Sequence, residues 1–135
     1  MPRPMIVTAV LGASALAACA PGVDPPVSKR SAMRFDTELA GLAPGRPQSC
    51  LSSRSSANVV AARGGTLLFR EGRMVYANET GGGCSDLADN QYALVTESFG
   101  GSLCRGSIAR VVDLTGSGMV RGTCVLGDFT PYRRP

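Results

Sequence analysis

Thr66-Leu67-Leu68-Phe69-Arg70-Glu71-Gly72-Arg73-Met74-Val75-Tyr76-Ala77 decides the fold class of this chain. Two short runs rich in apolar, β-branched and aromatic residues are separated by Arg70-Glu71-Gly72, which supplies the glycine a tight turn needs. The stretch therefore predicts a β-hairpin. Outward from it, short strand-like runs recur between glycine turns. Asn58-Val59-Val60-Ala61, readable as a first strand or a short turn of helix, precedes Gly64-Gly65, and Tyr92-Ala93-Leu94-Val95-Thr96 precedes Gly100-Gly101. Ser107 to Leu114 is the clearest strand, dense in β-branched residues, and Gly116-Ser117-Gly118 turns it into Met119–Phe129. Short strands with glycine punctuation and no long helical period predict a mainly β domain. The expected form is a small antiparallel sandwich or barrel, with room for one short helix.

Ahead of the domain, Ala20-Pro21-Gly22-Val23-Asp24-Pro25-Pro26 has no apolar periodicity and reads as a semi-stiff spacer. Ser28 to Leu42 is a weak helix candidate, with Met33, Leu39 and Leu42 loosely on one side, before Ala43-Pro44-Gly45-Arg46-Pro47 breaks it. The reading preferred for residues 19–47 is a flexible tether, with the folded domain spanning 48–135.

Of the five cysteines, Cys50, Cys84, Cys104 and Cys124 lie inside that domain. Their separations of 34, 20 and 20 positions lack the close C-x2-C pairs of a zinc site. An even set in an exported chain reads instead as two disulfides. Three pairings are open. Cys50–Cys124 would join the two ends of the domain, and chain ends are often neighbours in space. Cys84–Cys104 would follow, with Gly81–Gly83 and Gly100–Gly101 giving both cysteines room to approach.

Composition narrows function by exclusion. There is no histidine, so the commonest general base and metal ligand is missing. With its cysteines oxidised the domain keeps no thiol nucleophile. Asp86, Asp89, Asp113, Asp128, Glu71, Glu79 and Glu97 are scattered, and no spacing pairs two of them for glycoside hydrolysis. Asp86-Leu87-Ala88-Asp89-Asn90 lacks the alternation and glycine of a calcium loop, though Ser85 or Asp86 can cap one helical turn there. Gly81-Gly82-Gly83 lacks the Gly-Lys-Ser/Thr ending of a phosphate loop, and Asn78-Glu79-Thr80 matches a glycosylation acceptor only as a mark of an exposed turn. The formal net charge of +4 is mild, Lys29 is the only lysine, and most of the domain's tyrosines and phenylalanines fall in strand-like runs rather than in a basic stacking face. No catalytic residue, no cofactor, no metal and no nucleic-acid partner is expected.

At the amino end, Arg3 and the amino terminus precede an apolar, small-residue run from Ile6 to Ala18. That run has signal-peptide length and is short for a membrane span. It ends in Leu16-Ala17-Ala18-Cys19, which resembles the lipobox of bacterial lipoproteins. The resemblance implies removal of residues 1–18, diacylglycerol on Cys19 and acylation of the new amino end. Ala20 in place of Asp implies, by the usual sorting rule for such proteins, an outer-membrane anchor facing the periplasm. Further along, Cys50 with Arg54, Cys84-Ser85-Asp86-Leu87, Leu103-Cys104-Arg105-Gly106 and Cys124-Val125 resemble a family of small four-cysteine exported proteins of Gram-negative bacteria. That family commonly continues its third motif Cys-x-Gly-Asp, where this chain has Ser107. The resemblance brings no activity with it. The expected function is a lipid-anchored binding or envelope-maintenance module for a protein or cell-wall partner. The second reading is an inhibitor of a hydrolase such as lysozyme or a protease, since a braced loop loses little ordering entropy on binding. A hydrolase of unfamiliar type is the third.

Overall fold

The hairpin sits near the middle of a five-stranded antiparallel sheet. The computed structural model describes residues 29–52, 59–84, 87, 91–97 and 100–135. In chain order it has one helix, α1 (Lys29–Leu39), and ten strands: β1 (Ala43–Pro44), β2 (Cys50–Ser52), β3 (Val59–Arg63), β4 (Thr66–Glu71), β5 (Met74–Glu79), β6 (Tyr92–Thr96), β7 (Ser102–Cys104), β8 (Ile108–Asp113), β9 (Val120–Val125) and β10 (Phe129–Arg133). The strands form three sheets, ordered β1-β10-β5-β4-β3, β2-β7 and β6-β8-β9, with every pairing antiparallel. The expectation of a mainly β, antiparallel, disulfide-stapled fold with one short helix is met. So is the hairpin, whose register opposes Glu71 to Met74. Gly72, at φ +57°, takes the first loop position, where a II′ turn needs glycine.

Alternation along β4 and β5 divides the interior. Leu67, Phe69 and Tyr76 point to one side, into a core shared with Leu51, Leu103, Ala109, Val111, Cys124, Leu126 and Phe129 from the two smaller sheets and the β9–β10 region. Phe69 and Phe129 meet edge to face at 5.8 Å between centroids. Leu68 and Val75 point to the opposite side, where Phe35 of α1 covers them with Leu39, Leu42 and Tyr132 alongside. Leu67, Leu68 and Phe69 are all fully buried, so β4 is an interior strand with both faces covered. Burying each such side chain is worth about 1.5–3 kcal/mol. In β3 the register shifts between Val59 and Ala61. This bulge lets Val59 and Ala62, three positions apart, reach the same core.

The segment expected as a tether is largely part of the fold. Residues 29–39 are helical, with Ser31 and Phe35 buried one turn apart. Ser31 Oγ donates to the Ala62 carbonyl at 2.7 Å, and Arg63 lies 4.2 Å from the Phe35 ring centroid while pairing with Asp36 at 2.7 Å. The apolar side runs Phe35, Leu39, Leu42, at i, i+4 and i+7. Met33, read from sequence as part of that side, is 64% exposed. Past the helix, β1 pairs with β10, and Gln48 exchanges two backbone hydrogen bonds with Phe129. The described fold thus begins at Lys29 and not at Gln48. Without α1 and β1 the Leu68–Val75 face and the β10 edge would stand open to water.

The disulfides are Cys50–Cys104 and Cys84–Cys124, not the expected Cys50–Cys124 and Cys84–Cys104. The segments flanking the two cysteines do meet, but through the β1–β10 ladder upstream of Cys50 and downstream of Cys124, so no disulfide is needed there. Cys50 instead opposes Cys104 across β2–β7. The Arg105 amide donates to the Ser49 carbonyl at 2.7 Å. That bond makes Cys50/Cys104 a non-hydrogen-bonded pair, the kind in which Cα atoms lie closest, here 4.0 Å apart. Cys124 points inward from β9 and Cys84 docks against it. The glycine run before Cys84 serves this approach, as expected, though with a different partner. A Cβ at Gly122 would collide with the Gly83 carbonyl oxygen, and one at Gly83 with that of Thr123.

Candidate functional sites on the surface

Cys19, the expected lipid attachment point, lies outside the described residues, as do Asp86, Asp89 and most of the turn expected over 85–90. Cys50, Cys84, Cys104 and Cys124 are all consumed in disulfides. Asn78, expected on an exposed turn, is instead fully buried on β5. Its amide donates to the carbonyls of Gly127 at 2.8 Å and Asp128 at 3.3 Å, and its oxygen accepts from the Gly127 amide at 3.1 Å. Asn78 is a tie between β5 and the β9–β10 turn. It is closed to glycosylation.

The described carboxylates are mostly engaged with nearby groups. Asp36 pairs with Arg63, Glu38 with Arg70, Glu97 with Arg110 at 2.6 Å and Asp128 with Arg105 at 3.2 Å. Glu71 accepts from the Tyr76 hydroxyl at 3.4 Å. Burial, and then the Glu71 charge and hydrogen bond, raise the Tyr76 phenol above its usual value. Asp113 closes β8 and organises the loop after it. Its Oδ1 accepts from the Thr115 hydroxyl at 2.5 Å and the Thr115 amide at 2.7 Å, while Oδ2 takes Arg121 at 3.0 Å. These bonds, the Thr115 hydroxyl first, bring its carboxyl down to about 2. Among the described residues no group of three or more histidines, cysteines or carboxylates could hold a metal, and no helix is long and apolar enough to cross a membrane.

Two surface features remain, and neither was singled out from sequence. The first is the outer face of β6-β8-β9. In β8, Ala109, Val111 and Asp113 point inward, which sends Ile108, Arg110 and Val112 outward. Register places Val125 beside Ile108, Val120 beside Val112, and Val95 beside Arg110. Ile108, Val125, Val120 and Val95 are each about half exposed, so the face is an aliphatic surface crossed by the Arg110–Glu97 pair. Leu114 and Met119 extend it onto the β8–β9 loop, at 63% and 54% exposure. Alternation in Ser107–Leu114 carried the signal: both parities are apolar, more than one buried face requires.

The second is a groove of about 620 Å³ where the end of α1, the β4–β5 turn and the end of β10 converge. Arg70, Arg73, Arg133 and Arg134 line it, with Glu38 the one acid and Leu42, Met74 and Val75 supplying apolar wall. These arginines come as two pairs far apart in sequence, Arg70 with Arg73 and Arg133 with Arg134, and the β10–β5–β4 order brings the pairs together. No protein family, no curated protein and no solved structure matches this chain.

Proposed function

We propose that the chain is a lipid-anchored, non-catalytic binding module on the periplasmic side of the outer membrane, held there through Cys19 and engaging an envelope protein. The observation that carries it is the outer face of β6-β8-β9, where Val95, Ile108, Val120 and Val125 stand half exposed on a three-stranded sheet. Aliphatic side chains gathered on one exposed face are the usual mark of a contact surface. The two disulfides suit an oxidising compartment. Residues 20–28 would reach no further than roughly 30 Å from the anchor at full extension, which keeps the domain close to the membrane.

The test is site-specific photo-crosslinking in the intact envelope. A photoreactive residue at Ile108 or Val125 should give a discrete adduct, and one at Arg30 on α1 should not. Equal adducts at all three positions, or none at the sheet positions, overturn the proposal. The anchor is tested separately: mass spectrometry should find an acylated amino end at Cys19, and Cys19→Ser should release the product from membranes or leave it unprocessed.

A second reading, inhibition of an envelope hydrolase, is favoured by one specific observation. The β8–β9 loop presents Leu114 and Met119 beside a turn that Asp113 braces from within. A braced loop with apolar tips enters a cleft at low entropic cost. Inhibition of lysozyme or a protease that Leu114→Ala and Met119→Ala abolish, with the fold intact, would establish it. Activity unaffected across such a panel removes it.

A further inference from the structure

The groove at the end of α1 points to a binding site for a compact polyanion of the phosphoryl class. Four guanidinium groups, Arg70, Arg73, Arg133 and Arg134, surround one concavity. Arg70 is engaged by Glu38. Arg73, Arg133 and Arg134 pair with no carboxylate among the described residues, so three of the four guanidinium groups lining the groove are uncompensated by them. Like charges around a concave surface with apolar walls repel one another, and the same walls focus their field on whatever enters. The carboxyl end of α1 opposes this field weakly, since a helix end carries only about half a charge.

A ligand that relieves the repulsion carries two or three negative charges in a small volume. The groove volume of about 620 Å³ is of small-molecule size. Guanidinium forks match phosphoryl oxygens two at a time, which a single ammonium cannot do. A di- or triphosphoryl group, or phosphomonoesters held close together, meets these demands. The half-buried side chains of Met74 and Leu42 give the groove an apolar wall for the carbon skeleton bearing them. The site shares no residue with the β6-β8-β9 face and stands or falls without it.

The experiment is calorimetric titration of the full lipidated chain in non-ionic detergent with inorganic tripolyphosphate. Binding near one equivalent is expected, weakening as sodium chloride rises from about 50 to 200 mM. The double variant R133A/R134A should lose roughly tenfold or more in affinity, and Arg73→Ala should lose affinity as well. The double variant K29A/R30A, which removes the same charge at the far end of α1, should bind as the wild type does. Competition by phosphatidic acid, a phosphomonoester lipid, but not by phosphatidylcholine, each in mixed detergent micelles, assigns the site to a lipid headgroup; tripolyphosphate binding without that competition assigns it to a soluble phosphoryl ligand. Absence of binding at low salt, equal loss in K29A/R30A, or equal affinity for citrate overturns the inference.

Discussion

Cys50 and Cys104 face each other across the short β2–β7 ladder, 54 positions apart in sequence and 4.0 Å apart at Cα. Their counterpart, Cys84–Cys124, is fully buried in the main core, whereas Cys50 is exposed and Cys104 half-buried. Thiol–disulfide exchange requires access to sulfur. In mild reductant without denaturant, Cys50–Cys104 should open first and Cys84–Cys124 only on unfolding, as read by alkylation and peptide mapping. Each bridge should contribute about 2–4 kcal/mol. Peptides joining Cys50 to Cys124, or faster reduction of the buried bridge, would contradict the structure.

Asn78 should prove one of the most sensitive polar positions. Asn78→Ala would leave the amide and carbonyl of Gly127 without their partner inside a buried region, at a cost of about 1–3 kcal/mol or more. Asn78→Asp is expected to be worse near neutral pH, because a carboxylate cannot donate to the Gly127 and Asp128 carbonyls. Urea unfolding of both variants checks this, and a wild-type midpoint in either would remove the tie from the fold.

Gly122 is required by contact rather than by conformation. Gly122→Ala places a methyl group against the Gly83 carbonyl oxygen, and backbone must move to admit it. Destabilisation of about 1–3 kcal/mol is expected, with weakened protection of amides in β9. At Gly118 nothing lies within reach of an added Cβ, and only its φ of +60° opposes a side chain. Gly118→Asn should therefore cost much less than Gly122→Ala. A reversed order in thermal melts would be incompatible with this packing.

Acid should loosen the β8–β9 loop as Asp113 takes up a proton. The Asp113 carboxyl is lowered from 3.8 to about 2 by Thr115 and Arg121, so folding is favoured by its ionised form. That contribution is fully present above pH 3.8 and is lost as pH falls toward 2. Asp113→Asn should flatten the fall in stability across this window while lowering stability at neutral pH. An unchanged acid limb in Asp113→Asn would show that other carboxylates govern it.

What the sequence determined by itself is local. The 66–77 hairpin follows from two apolar runs about a glycine, the mainly β class from repeated short strands, and the existence of disulfides from an even cysteine set in the domain. What only the tertiary structure decided involves residues far apart in the chain. Both cysteine partners, the docking of α1 and the burial of Asn78 belong here. A clue to the helix was present: Leu67-Leu68-Phe69 is apolar on both parities, which asks for cover on two faces, and Phe35 supplies the second. Nothing local says which segment provides that cover. The basic groove is the extreme case, because Arg70, Arg73 and Arg133 converge only when β10 takes its place beside β5. Periodicity reports which way a side chain faces within its own strand. Pairing depends on which distant strand lowers the free energy of the whole sheet, and single-strand pattern carries no record of that competition.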